Sequence, residues 1–197
     1  MKRLLVLSIA VLFGASATIR AQEKTDPLYP LKVGSVWTYK VSGGSIQVKV
    51  EKKEKFGDEE TYKLVTSAQG KEGASEHVAI KDGKDGGVYR YDIGGVKPDS
   101  PLRFLALPAT KTTKWQVNSK IGKEEVTGEF VIKEEDVTVP AGVYKAATLV
   151  EGANFKLAGY DSSIKTWYVK DIGIVKMEFK LGGQDATFEL EKYEPGK

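Results

Sequence analysis

The 197-residue sequence contains no cysteine. That excludes disulfides, thiolate metal sites and a cysteine nucleophile. It also excludes a lipoprotein anchor, which needs a cysteine to carry the lipid. There is one histidine, His77. A zinc site needs further ligands, and a catalytic histidine needs a nucleophile and an orienting partner. His77 alternates in phase with Ala79 and Lys81, and reads as a partly exposed surface imidazole. Arginine is nearly absent after residue 21, where only Arg90 and Arg103 occur. A surface built to grip phosphates would hold more. Excess charge is missing as well. The three basic residues before Gln22, namely Lys2, Arg3 and Arg20, account for the whole surplus of 30 basic over 27 acidic side chains. The remainder is neutral and mixed, as in Lys52-Lys53-Glu54-Lys55, and offers no basic stripe for nucleic acid. Gly-x-Ser-x-Gly, His-Glu-x-x-His and phosphate-cradling glycine motifs do not occur. No catalytic residue, metal ligand or cofactor is expected.

One apolar run exists, and it lies at the start. Lys2 and Arg3 precede the stretch from Leu4 to Phe13, and Ala15-Ser16-Ala17 follows. A basic n-region, a short apolar core and a small-x-small site are the order of a secretory signal. The run is too short to span a bilayer stably. Residues 1–21 are therefore expected to form a signal helix, cleaved after Ala17 or after Ala21. Nothing later is apolar for long enough to cross a membrane. The expected product is soluble and periplasmic or secreted, with no membrane span after cleavage. At about 175 residues it can bury roughly 70% of its unfolded surface, so one unstapled domain is feasible. Residues 22–30 read as a polar linker, and 31–194 as a single β domain.

Within that domain the period is two. Trp37, Tyr39 and Val41 alternate with Val36, Thr38 and Lys40. Ile46, Val48 and Val50 alternate with Gln47, Lys49 and Glu51. Val175, Met177, Phe179 and Leu181 alternate with charged residues, as do Ala186, Phe188 and Leu190. This is the pattern of antiparallel strands buried on one face. Val143 to Glu151 is apolar on both faces and reads as a central strand. Gly43-Gly44, Phe56-Gly57-Asp58, Asp82 to Gly87, Pro140-Ala141-Gly142, Asp171-Ile172-Gly173 and Gly182-Gly183 punctuate the runs, as turns of an up-and-down meander. The stretch from Pro98 to Pro108 reads as a bent edge strand or an apolar loop over the sheet. No helix follows the signal. An apolar sheet without a covering helix must cover itself by curling or folding over. The expected fold is all-β, an antiparallel up-and-down meander forming a strongly curved sheet or open barrel.

Candidates for chemistry are few. Asp82, Asp85 and Asp92 bracket a glycine-rich turn but lack the glutamate and helices of a calcium loop. Glu129, Glu151, Asp161 and Asp171 could supply a carboxylate pair for hydrolysis, but their alternation with apolar residues marks them as outer strand faces. The aromatics carry more. Trp37, Tyr39, Leu102, Phe104, Leu105 and Trp167 are the candidate ligand-binding residues, expected near the mouth of a cavity that a curled sheet leaves.

Three segments occur together in order: Tyr29-Pro-Leu-Lys-Val-Gly-Ser-Val-Trp-Thr-Tyr39, Val139-Pro-Ala-Gly-Val-Tyr-Lys145 and Thr166-Trp-Tyr-Val-Lys-Asp-Ile-Gly-Ile-Val-Lys176. In this the chain resembles a loosely defined group of secreted bacterial β-rich proteins of unknown function. One departure is Lys111-Thr112-Thr113-Lys114 before Trp115, where the group usually has glycine. The resemblance implies a cell-envelope location and an antiparallel sheet, with a fold-level likeness to the half-barrels of lipoprotein carriers. The expectation is a non-enzymatic envelope protein that binds an apolar small molecule or a partner protein. A secreted carboxylate-dependent hydrolase and a structural or assembly module are the alternatives.

Overall fold

The computed structural model describes residues 26–197. The expected signal helix at 1–21 lies outside them. Twelve strands follow one another: β1 (Val36–Val41), β2 (Gly44–Phe56), β3 (Glu59–Ala68), β4 (Lys71–Lys81), β5 (Gly87–Arg90), β6 (Leu102–Ala106), β7 (Lys114–Ile121), β8 (Glu124–Val139), β9 (Gly142–Leu157), β10 (Tyr160–Val169), β11 (Gly173–Leu181) and β12 (Gln184–Glu194). They form one antiparallel sheet in the order β6-β5-β4-β3-β2-β1-β12-β11-β10-β9-β8-β7. Every neighbour but one is also a neighbour in sequence, as a meander requires. The exception, β1 beside β12, joins the two ends of the chain. The stretch from Pro98 to Pro108 contains the edge strand β6.

The sheet curls until its two edges meet. No continuous ladder joins β6 to β7. Instead the Trp115 indole donates to the Arg103 carbonyl at 2.8 Å, Asp99 N–H donates to the Lys120 carbonyl at 2.9 Å, and Ser119 Oγ lies 3.2 Å from Ser100 N. The seam is thus stitched by side chains and a few backbone bonds, which caps two otherwise bare edges. Register shifts between Val50 and Lys52 and between Trp167 and Tyr168 mark bulges, the usual device for bending a strand.

The sheet's outer face carries rows of charge. Glu151 sits between Lys133 and Lys165 on neighbouring strands, and the Lys133 hydrogen bond holds its carboxyl below the usual range. The inner face is apolar. A barrel of about eight strands is filled by its own side chains, whereas more strands leave a wider interior. Here one end is filled and the other is not. In a meander, alternate turns fall at opposite ends. The end holding turns 57–58, 82–86, 140–141 and 170–172 is plugged by the segment before β1. Leu31 is wholly buried, and Tyr29 packs against Phe104 on β6 and Tyr168 on β10, with ring centroids 5.4 and 6.3 Å away. The segment expected to be a linker therefore contributes Tyr29 to the core.

The three sequence segments meet at this plugged end. Trp37 Nε1 donates to the Ile172 carbonyl at 2.6 Å, and the Tyr39 hydroxyl donates to the Ile174 carbonyl at 2.9 Å. Ala141 N–H donates to the carbonyl of Leu190, the residue paired with Tyr39. Gly173 closes the β10–β11 turn at φ +93°, and a Cβ there would lie 3.3 Å from Pro30 Cδ and 3.4 Å from Trp37 Nε1. Glycine supplies the backbone angle, and a side chain there would crowd Pro30 and press on the indole.

Two expectations change. Val143 is not central but 61% exposed at the tip of the β8–β9 hairpin, where the strands overrun their neighbours. Phe179 faces inward but is only half-buried, because it stands at the open end.

Gly173→Ala and Gly182→Ala separate the two demands on glycine. Gly182 has φ +55° and open space around it, so alanine there should cost about 1–2 kcal/mol of strain. Gly173→Ala should cost at least about 1 kcal/mol more, read as a lower urea midpoint at unchanged m-value. Equal losses would show that Trp37 does not rest on Gly173.

Candidate functional site: the barrel interior

Inside the barrel, between the plug and the open end, lies a cavity of two lobes. The smaller, about 180 Å³, is lined by Trp37, Tyr39, Ile46, Val48, Leu64 and Ile174 among others. The larger, about 340 Å³, is lined by residues including Leu102, Phe104, Val117, Phe130, Ile164 and Phe179. That volume falls within the range of about 300–1,000 Å³ common for small-molecule sites. Arg90, Met177 and Phe188 belong to both lobes and mark their junction. The walls are inward-facing strand positions. Ile46, Ile121, Leu157, Ile164, Met177, Phe179 and Phe188 are apolar and only half-buried, so the cavity presents apolar surface to whatever fills it.

One ion pair interrupts that surface. Arg90, at the end of β5, approaches Glu76 of β4, with Nε 2.9 Å from Oε2. Both side chains are about one-fifth accessible (20% and 22%). The guanidinium carbon lies 4.4 Å from the centroid of the Phe104 ring, so the ring covers one face of the cation. Burial is the largest influence on Arg90 and works against its charge, but Glu76, Tyr29 and Tyr168 together hold the guanidinium above its ordinary range. Three tyrosines surround the pair. Burial pushes the hydroxyls of Tyr29, Tyr39 and Tyr168 well above the usual range, and the Glu76 charge adds to the effect. All three are neutral at physiological pH.

The sequence-predicted residues separate. Trp37 and Tyr39 line the smaller lobe at its plugged end, not the mouth. Leu102 and Phe104 line the larger lobe. Leu105 is wholly buried in the core and lines neither lobe. Trp167 is buried with the Lys176 ammonium 5.3 Å from its ring centroid. It lies in the phase opposite Thr166 and Tyr168 and lines neither lobe. Arg90 and Glu76 were not among the candidates. Their signal was present, since Glu76 alternates in phase with Val78 and Ile80, and Arg90 with Val88. A charge standing in an apolar phase points into the interior.

The other acids do not converge. Glu129 accepts from Gln116, Glu151 binds Lys133 and Lys165, and Asp161 lies 3.5 Å from Lys156. Among the described residues, Glu76 is the carboxylate that lines the cavity. Asp92 does not join Asp82 and Asp85. It accepts from His77 N–H and lies 3.0 Å from His77 Nδ1, while Glu54 lies 3.2 Å from Nε2 and Phe56 stacks on the ring at 4.3 Å. His77 thus ties β2, β4 and the residue after Tyr91 together on the outer face. Among the described residues no cluster of three or more acids and histidines could hold a metal.

No protein-family model matches the chain, and no curated protein matches it. Solved structures do. A candidate lipoprotein from Parabacteroides distasonis is 14% identical and superposes with a TM-score of 0.54, over 87% of this chain and all of its own. A candidate exported protein with a YmcC-like fold from Bacteroides fragilis is 13% identical, with a TM-score of 0.42 over 83% of this chain and 96% of its own. At 14% identity the first likeness is one of fold.

The ion pair makes a double-mutant test. Arg90→Met leaves the Glu76 charge unpaired and should cost about 1–3 kcal/mol, the lower part of the range for a buried pair because the cavity admits solvent. Arg90→Met with Glu76→Met removes both charges and should return stability to within about 1 kcal/mol of the parent. Denaturant unfolding of the three proteins reads this. A double variant as unstable as the single one would mean the pair holds the barrel together.

Proposed function

We propose that the chain is an exported, non-enzymatic binding protein of the bacterial cell envelope that holds an apolar ligand inside its barrel. The observation that carries this reading is the interior itself. Half-buried aliphatic and aromatic side chains line a cavity, although the barrel had enough aromatic side chains to fill its plugged end. Surface of this kind gains about 25 cal/mol per Å² when an apolar ligand removes it from water. Export is supported by the charge, apolar and small-residue order of residues 1–21. It is supported also by the lipoprotein description of the related fold. This sequence has no cysteine to carry a lipid, so the reading is of a soluble form, periplasmic or secreted.

The ligand is a largely apolar molecule with a chain or ring more than a charged metabolite. Arg103 is the other arginine on the wall of the larger lobe. It donates to the Gly86 carbonyl and lies over the Trp115 ring, and Arg90 is paired with Glu76. No cluster of cations is left to hold a phosphate or polycarboxylate.

Titration of the protein with N-phenyl-1-naphthylamine, an uncharged lipophilic fluorophore, tests the reading. Saturable enhancement at one site is expected, with displacement by amphiphiles bearing dodecyl chains. Met177→Trp places a bulky ring at the junction of the lobes and should weaken the probe at least tenfold while the protein stays folded by circular dichroism. Absence of saturable binding to the parent, or unchanged binding to a folded Met177→Trp, would overturn it.

A further inference from the structure

We propose that the Arg90–Glu76 pair makes the cavity selective for uncharged amphiphiles whose head both donates and accepts hydrogen bonds next to an acyl chain. Hydroxyl-bearing acyl esters and amides have this chemistry. The inference rests on the reading of the cavity as an apolar-ligand site, and names the ligand class within it.

The argument begins with charge. The junction of the lobes holds one cation and one anion, 2.9 Å apart. The tyrosines around them are neutral, and Arg103 lines only the larger lobe, where it donates to the Gly86 carbonyl. A carboxylate held at the junction would set two anions against the one cation there, between apolar walls. Like charges in a site of low polarity repel strongly, and neither is fully paired. An uncharged head leaves the balance at the junction at zero.

Hydrogen-bonding capacity points the same way. A guanidinium has five N–H donors. The closest approach to Glu76 is made from Nε, through one carboxylate oxygen, Oε2. The terminal nitrogens extend beyond that contact, and Glu76 Oε1 is a further acceptor. The pair thus presents N–H donors and a carboxylate acceptor side by side. A carbonyl can accept from Arg90 while a neighbouring hydroxyl donates to Glu76. A pure hydrocarbon would bury these groups without partners, at a cost for each.

Position completes the match. Arg90 and Phe104 are on the wall of the larger lobe, and Glu76 is on the wall of the smaller one. With its head at the junction, a ligand's chain runs through the larger lobe past Ile164 and Phe179 towards the open end.

The test compares monododecanoylglycerol, N-dodecanoylethanolamine and dodecanoate at pH 7.5, each displacing N-phenyl-1-naphthylamine. The first supplies the head as an ester and the second as an amide, so their ratio shows which source is preferred. The parent should bind the better of the two at least tenfold more tightly than dodecanoate. Glu76→Gln removes the competing anion and leaves Arg90 free. It should raise dodecanoate affinity at least tenfold and so narrow or reverse the preference. A parent that binds dodecanoate as well as the neutral heads, or a folded Glu76→Gln with an unchanged ratio, would overturn the proposal while leaving the cavity reading intact. Failure of the fluorophore itself to bind the parent would overturn both. Arg90→Met with Glu76→Met guards against misfolding of the single variant. It should hold the fluorophore as the parent does and lose at least tenfold for the neutral amphiphiles, and an undiminished affinity would count against the proposal.

Discussion

The hydrogen bond from the Trp37 indole to the Ile172 carbonyl, 2.6 Å long, fixes where the barrel is closed and where it is not. It crosses from β1 to the turn before β11. The ring rests against Gly173, and Pro30 and Tyr29 close the same end. Tyr39, one inward position further along β1, repeats the connection to Ile174. Once these aromatics are gathered at one end they cannot fill the other. The twelve-stranded circumference is too wide for the remaining side chains, Phe130, Ile164 and Phe179 among them, to close it.

The cavity is thus a consequence of topology as much as of particular side chains. A meander with no covering helix must bury its apolar face against itself. Curling does this, but leaves two edges to be joined. The seam between β6 and β7 is joined by Trp115, Ser100 and Ser119 instead of by a ladder. The longest ladders are the β8–β9 and β2–β3 hairpins, and the seam supplies partners for only some of the edge groups. The charge rows outside, such as Lys133–Glu151–Lys165, contribute little stability individually. They give the outer face a charged, solvated surface, and leave the sheet's apolar surface to the interior.

The fold was largely legible because period-two alternation and turn glycines are local signals. Trp37, Tyr39, Met177 and Phe188 were placed on the inner face by phase alone. Residues that depend on how far the sheet curls were not legible. Leu105 shares the Leu102–Leu107 stretch with Phe104, yet a shift in the β5–β6 register between Val88 and Tyr89 separates the two environments. Trp167 stands beside a bulge, and sequence gives no warning of a bulge that changes the phase. The shared segments around Tyr29, Ala141 and Gly173 were visible as a pattern, but their meeting at one end of the barrel is a long-range fact. Glu76 and Arg90 were the readable signal passed over. Each is a charge in an apolar phase, hidden among 57 charged side chains.

Met177 gives the most direct access to the central claim that the interior receives an apolar ligand. It lies at the junction of the lobes, and the only other methionine is Met1. Protein labelled with ¹³C at the methionine methyl therefore carries a single reporter among residues 26–197. Titration with an acyl amphiphile should shift that methyl resonance saturably and give nuclear Overhauser contacts between the methyl and the ligand chain. A ligand that binds while the Met177 methyl neither shifts nor contacts it would contradict the account, since binding would then be on the outside of the barrel.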